Sequence, residues 1–368
     1  MSDVLVVGGG LVGAATTYGL LREGLSVTML DEGDIAFRAS RGNFGLVWVQ
    51  SKGDGRPEYA QWTRRSADLW PGLQDALGEE TGINTHYEKP GGLHFSLSEE
   101  DFEKRCALIH RMHNVHGAAH YGAEILDAKQ VRELVPGLGP DVVGGTYCKH
   151  DGHASPLYLL RALHTAIEKR GGKIVPNASV SAVAPDGNGF RAETAKGTMR
   201  GDKLVLAAGL GNRKLGGGVG LDVPVAPEKG QILVTERARP LLPMPTHVVR
   251  QTSEGTFMIG DSHEDVGFNL TSTTPTMSMI AARAVKMFPF LKDLRLVRSW
   301  AALRVMAPDG YPIYEESAAH PGAFTVNCHS GVTLAAAHAL GLAPMIAKGQ
   351  IGDELSVFTA GRFDANAH

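Results

Sequence analysis

The sequence predicts an α/β protein: a Rossmann-like, parallel-sheet domain, discontinuous along the chain, interleaved with an α+β domain built on an antiparallel sheet. Three observations predict it. The N-terminal segment runs strand, glycine turn, helix, strand, acid, with Gly8, Gly10 and Gly13 forming a G-x-G-x-x-G turn and Asp31 closing the second strand. Strand–helix units return at Lys203–Gly209 and from Ala323 onward. Between them lie runs of short strands, near Gly92–Leu97 and from Gln231 to Trp300.

Each part of the first unit has a physical task. The apolar strand Val4–Val7 enters Gly8, which allows the tight turn; Gly10 lets a pyrophosphate approach the backbone; Gly13 lets the helix Leu11–Arg22 pack on the strand. Unpaired N–H groups at the helix start favour a diphosphate there. Asp31 follows Gly13 by eighteen residues, at the end of the strand Val27–Leu30, where a carboxylate accepts hydrogen bonds from ribose hydroxyls. An adenine dinucleotide is the expected ligand.

A helix is expected over Glu58–Glu80, opened by Pro57 and perturbed at Pro71. Gly92–Leu97 alternates as a strand, and Ser98 caps a helix whose first turn holds Glu99, Glu100 and Asp101, acids suited to the helix dipole. Pro156 opens a helix reaching about Arg170. Strands are expected at Lys173–Val175, Val180–Ala184, Phe190–Thr194 and Lys203–Leu206, then at Gln231–Thr235, Thr246–Arg250 and Thr256–Gly260. A helix over Pro275–Phe288, a strand at Arg295–Trp300, and the final strand Ala323–Asn327 leading to a helix near Gly331 complete the chain. The nucleotide domain then comprises 1–85, 146–222 and 302–368, and the substrate domain 86–145 and 223–301.

Composition narrows the function. A chain of 368 residues is long enough for two cored domains, and a net charge of −3 without a basic run gives no reason to expect nucleic acid. Cys106, Cys148 and Cys328 are far apart, which argues against disulfides, structural zinc or an iron–sulfur cluster held by this chain alone. The chain enters its first strand at once, so no signal peptide is expected; the apolar run Val332–Ala347 carries His338 and Pro344 and is too short for a bilayer. A cytoplasmic protein is expected. His110, His113, His116 and His120 suggest a metal site, but Gly117 interrupts the helix and no cysteine or well-placed acid completes a set, so they read as solvated.

Two later segments bear on a ligand. KLVLAAG ends in Ala207, Ala208 and Gly209, small residues that permit close approach of a ligand or of another backbone. His329–Leu334 joins the last strand to the last helix, where a flavin's pyrimidine edge would be stabilised, or where an ordinary turn simply stands. His329 either touches flavin or substrate there or only packs; Tyr87, Tyr311 and Tyr314 are candidate pocket residues without an assignable role.

Together GGGLVG with VTMLDEG, RASRGNFGLVW, DGHASPLYLLRAL, VLAAG, PVAPEKGQILV, SWAALRVMAPDGYPI and HSGVTLAAAHALGLAP resemble the D-amino-acid-oxidase-like superfamily of FAD enzymes, which includes glycine and sarcosine oxidases. RASRGNFGLVW and GDSHEDVGF are most similar to the FAD (β) subunits of bacterial opine, D-hydroxyproline and cyanide-forming glycine dehydrogenase complexes. The resemblance implies that Gly8, Gly10, Leu11, Val12, Gly13, Asp31 and Glu32 hold the FAD pyrophosphate and ribose, with Val180 at the adenine. It puts Ser40, Arg41, Asn43, Gly45 and Leu46 over the phosphates and flavin ring, Ala207, Ala208 and Gly209 beside the cofactor, and Gly331, Val332 and Thr333 at the pyrimidine. Arg304 matches the arginine that grips substrate carboxylate next to the flavin, a role suited to a guanidinium fork; its alternative is a structural ion pair. The chain departs from the family's L-R-P and P-I-I-G with Leu303-Arg304-Val305 and Pro312-Ile313-Tyr314-Glu315, and the cysteine that anchors flavin in some sarcosine oxidases is missing, so FAD is expected to be non-covalent.

The implied function is oxidation of the C–N bond of a carboxylated, secondary amine such as an opine, a proline derivative or an N-substituted amino acid, by hydride transfer to FAD N5. The implied setting is a hetero-oligomer with a larger α subunit and a small iron–sulfur γ subunit, with FMN at an interface. Two alternatives stay open: a 2-hydroxy-acid dehydrogenase or oxidase of the same superfamily, and a non-catalytic FAD-bearing electron-transfer or assembly subunit.

Overall fold

The protein is described from a computed structural model covering residues 2–33 and 39–364; Arg38, which opens the 38–48 motif, lies outside them. The N-terminal unit forms as strand Ser2–Val7, helix Leu11–Arg22 and strand Val27–Leu30. Ser2–Val7 is central in the largest sheet. Val27–Leu30 and then Lys173–Val175 lie parallel on one side, Gly197–Leu206 and then Ala323–Asn327 on the other, and Ile313–Glu316 adds antiparallel beyond them. Gly197–Leu206 starts earlier than its apolar half suggests. Its polar first half is held by antiparallel pairing with Gly189–Thr194, and only the second half enters the parallel ladder.

The helix Leu11–Arg22 is buried almost throughout its length, because it lies between the sheet and the helix Pro156–Lys169. The helix Pro57–Thr81 continues through Pro71 where a break was expected. Pro71 cannot donate to the Ala67 carbonyl, and the Lys89 ammonium does so instead at 3.4 Å. Ser98 caps the helix Glu99–His116 as expected, accepting from the Asp101 N–H at 3.2 Å. The histidines on and after that helix are not uniformly solvated. His113 Nε2 lies 2.7 Å from the Ala123 carbonyl and His116 stacks on Tyr121, leaving His110 and His120 exposed.

The second region contains two antiparallel sheets. One orders Gly92–Ser96, Gly144–Cys148 and Ala123–Asp127; the other orders Val249–Gln251, Thr256–Ile259, Ala226–Arg237 and Leu296–Met306. A bridge between Leu93 and Thr246 links them. The strand expected at Thr246–Arg250 is reduced to Val249–Gln251, because Thr246 Oγ1 accepts from the Val249 N–H at 2.8 Å and closes a turn. Leu296–Met306 runs across the 301/302 position at which the sequence reading divides the domains, carried by its long pairing with Ala226–Arg237. The last helix starts at Ala335, later than Gly331. A widened turn over His338–Leu342 precedes Pro344, which has no N–H to donate.

Candidate active site

The parallel strands end side by side at Leu30, Val7, Ala207 and Asn327, and a cavity of ≈ 490 Å³ runs across all four ends. Neighbouring strands are about 4.8 Å apart, so the cavity is a trough roughly 14 Å along this edge, the usual ligand crevice of an open α/β sheet. Asp31, Glu32 and Val180 line one end; Gly8, Gly10, Leu11 and Val12 line the floor beneath Ser40, Arg41 and Asn43; Ala207, Ala208 and Gly209 form the facing wall; His329 and Gly331 stand at the far end.

The glycines divide the work of the turn. Gly8 has φ 108°, and a side chain on it would strike the Ala207 carbonyl; one on Gly13 would strike the carbonyl of Gly8. Gly10 is different: a Cβ there meets only the Ser40 Oγ, at 2.8 Å, so its freedom serves the cavity rather than the packing. Ser40 Oγ accepts from the Leu11 N–H at 2.9 Å, tying the covering loop to the helix start. Asp31 accepts from Gly9 N–H at 2.9 Å and from Gly33 N–H at 2.8 Å, so its carboxylate also braces the turn.

Several expected residues stand behind the cavity wall rather than on it. Gly45 lies where a Cβ would touch the Ala154 carbonyl and the Arg250 guanidinium. Leu46 pairs with His153 in a two-stranded ladder. Val332 is buried in the core, and Thr333 Oγ1 accepts from Trp48 N–H and donates to Leu46 O, each at 3.1 Å. The cavity also has lining that the sequence reading omitted. Leu303, Val305, Phe268 and Leu270 supply apolar surface, and the buried Asn327 Oδ1 has no partner among the described residues.

Arg304 lies between two residues that line the cavity, on the alternate face of its strand and directly opposite Glu228 in the register. Its Nη1 donates to Glu228 Oε1 at 3.0 Å and to the Ser262 carbonyl at 2.9 Å, and its Nη2 to Asp261 Oδ2 at 2.9 Å. A guanidinium has five N–H groups, so Nε–H and one Nη2–H remain for an anion. Burial alone would raise the Asp261 carboxyl, but the hydrogen bond from His263 and the charge of Arg304 hold it below the usual range.

At the far end Lys52 Nζ donates to Ser330 Oγ at 2.9 Å and lies 3.2 Å from His329 Nε2, and Tyr59 OH donates to the same Ser330 Oγ at 3.0 Å. Burial, with the charges of Lys52 and Arg304, pushes the His329 imidazole well below its ordinary value, so it is neutral. Burial lowers the Lys52 ammonium to about 8. Neither Lys52 nor Tyr59 was foreseen.

A trough open at Gly10, a helix start beneath it, an acid at one end and an orphaned amide oxygen toward the other fit an extended dinucleotide. Comparison with known proteins agrees. The FAD dependent oxidoreductase (DAO) family profile matches residues 3–345. The chain is 46% identical over 368 residues to an opine oxidase subunit of Rhizobium meliloti, covering 99% of this chain and 98% of that protein. It is 44% identical over 363 residues to the equivalent opine oxidase subunit of Agrobacterium tumefaciens (strain Ach5), covering 99% and 98%. The fold superposes on glycine oxidase from Geobacillus kaustophilus with TM-score 0.87 at 25% identity, covering 97% of this chain and 98% of that one. The chain belongs to the FAD dependent oxidoreductase family of D-amino-acid-oxidase type, and FAD is its cofactor.

Proposed function

We propose that this chain is the FAD-carrying subunit of an amine dehydrogenase that oxidises the C–N bond of a carboxylated secondary amine of opine type. The observation that carries the reading is the Arg304 guanidinium, which keeps N–H groups unused after serving Glu228, Asp261 and the Ser262 carbonyl, and whose charge acts on His329, the residue lining the end of the cavity opposite Asp31. FAD, when bound, supplies the hydride acceptor that turns the amine into an imine, which water then splits.

The chain's residues act on position and charge. Gly8, Gly10, Gly13, Asp31 and Ser40 hold the pyrophosphate and ribose end, with Val180 at the adenine. Glu228, Asp261 and the Ser262 carbonyl fix the Arg304 guanidinium from behind, so that its two free N–H groups orient a substrate carboxylate and with it the adjacent carbon. Leu303 and Val305, on the other face of the same strand, give the cavity an apolar wall. Neutral His329 adds no competing charge and offers a polar edge to the amine. A secondary amine that arrives unprotonated needs no strong base, in keeping with the lack of a carboxylate among the cavity residues at the His329 end.

The opine oxidase relatives are named as subunits, which supports a hetero-oligomeric setting for this chain too. The partners of this reading are a larger α subunit and a small iron–sulfur γ subunit, with FMN at an interface. Among the described residues no helix is long and apolar enough to cross a membrane. The test is anaerobic: opines and N-alkyl amino acids are to bleach the flavin, and 2-hydroxy acids are not. Bleaching by hydroxy acids alone would move the chain to the other substrate class.

A further inference from the structure

We propose that Lys52 is a second anion anchor of the substrate site, the residue that holds the second carboxylate of an opine-type substrate whose first carboxylate lies on Arg304. This deepens the reading above and rests on it.

The Lys52 ammonium has polar but uncharged surroundings. Its hydrogen-bonding neighbours are the Ser330 hydroxyl and the neutral His329 ring, and the Tyr59 ring centroid lies 5.9 Å away. No carboxylate pairs with Lys52 among the described residues. The carboxylate whose charge acts on it, Asp151, is occupied elsewhere: it accepts from the N–H groups of Val49 and Gln50 at 2.5 and 3.2 Å and from Gln50 Nε2 at 2.6 Å. Lys229 shows the ordinary solution for an enclosed ammonium in this chain, with Glu264 at 2.9 Å. Lys52 lacks such a partner and also feels the like charge of Arg304.

A half-buried cation without a counter-charge, acted on by the like charge of Arg304, is costly unless an anion arrives to compensate it. Lys52 is placed to receive one. It touches His329, which lines the cavity, and two of its three N–H groups are engaged, leaving the third. Both Arg304 and Lys52 depress His329, so the imidazole lies within reach of each charge. A monocarboxylate compensates one of the two; a dicarboxylate with the amine at its centre compensates both and sets its reacting nitrogen near His329. The loop is braced for this work, since Asp151 and Tyr121 hold the backbone of Val49, Gln50 and Ser51 immediately before Lys52.

The experiment uses the FAD-loaded chain and two ligands without an amine: diglycolate, with two carboxylates, and methoxyacetate, with one. Binding is read as perturbation of the flavin absorbance in wild type, Lys52→Met and Lys52→Arg, with FAD content measured alongside. Wild type is expected to bind diglycolate more tightly. Lys52→Met is expected to weaken diglycolate by at least about tenfold, as for loss of a charged hydrogen bond, while changing methoxyacetate by less than about threefold. Lys52→Arg is expected to restore part of the preference. Equal losses for both ligands, or no diglycolate preference in wild type, would overturn the anchor. If wild type is bleached by hydroxy acids and by no amine, the amine reading fails, while the ligand contrast still decides the role of Lys52.

Discussion

Arg304 and Asp261 meet at 2.9 Å through Nη2 and Oδ2, which leaves the Nε edge of the guanidinium without a partner among the described residues. Arg304→Ala is therefore expected to weaken a bound carboxylate by about 3–5 kcal/mol, the cost of leaving one member of a buried pair alone. Arg304→Lys should recover only part, since a point charge cannot supply two parallel bonds. Rates of anaerobic flavin reduction against substrate concentration check this; an alanine variant with unchanged affinity and rate would make Arg304 a structural ion pair.

Asp31→Ala should lower FAD affinity and apoprotein stability together. The carboxylate accepts the N–H groups of Gly9 and Gly33, and each buried donor left without an acceptor costs about 1–3 kcal/mol. FAD fluorescence titration and the Tm of the apoprotein measure the two effects separately. Full flavin occupancy in the variant would show that the acid is misassigned.

The glycine turn gives a contrast between two substitutions. Gly13→Ala drives a methyl into the Gly8 carbonyl and should destabilise the fold outright. Gly10→Ala meets only a serine hydroxyl, so it should fold and lose FAD affinity instead. Circular dichroism with flavin retention separates them, and equal behaviour of the two variants would contradict the division of labour.

Anion binding at the Lys52 end should depend on pH with a definite sign. The lysine value is lowered to about 8, so the charged form prevails below that and is lost above it. The surrounding groups do not mimic this step: Cys328 is pushed up to about 12 by burial, His329 is already neutral, and Asp151, pushed up to about 7 by burial, has gained its charge before it. Diglycolate affinity should fall as pH rises through 8 in wild type and stay level in Lys52→Met.

Most of the cofactor trough was legible because its signals are local. Gly8, Gly10, Gly13 and Asp31 sit within one strand–helix–strand unit, and the lining residues Ala207 and Gly331 follow strand ends that the pattern identifies. The superfamily and its opine-related branch were legible in longer motifs, and the comparisons bear them out. The surroundings of Arg304 were not, since Glu228 and Asp261 reach it only through pairing of a distant strand and through the segment after Thr256–Ile259. Lys52 was missed for a similar reason. Its surroundings come from elsewhere in the chain, since Ser330 accepts from both Lys52 and Tyr59. Gly45, Leu46, Val332 and Thr333 show the converse: the motifs mark them, yet they stand behind the cavity wall.

The central claim is that this FAD enzyme takes electrons from a carboxylated amine. The most direct measurement mixes the flavin-loaded chain anaerobically with an opine, with an N-alkyl amino acid and with a 2-hydroxy acid, and follows the loss of flavin absorbance. The account predicts saturable bleaching by the amines, strongest for the dicarboxylic opine, and none by the hydroxy acid. Bleaching by the hydroxy acid, with every amine inert, would contradict it.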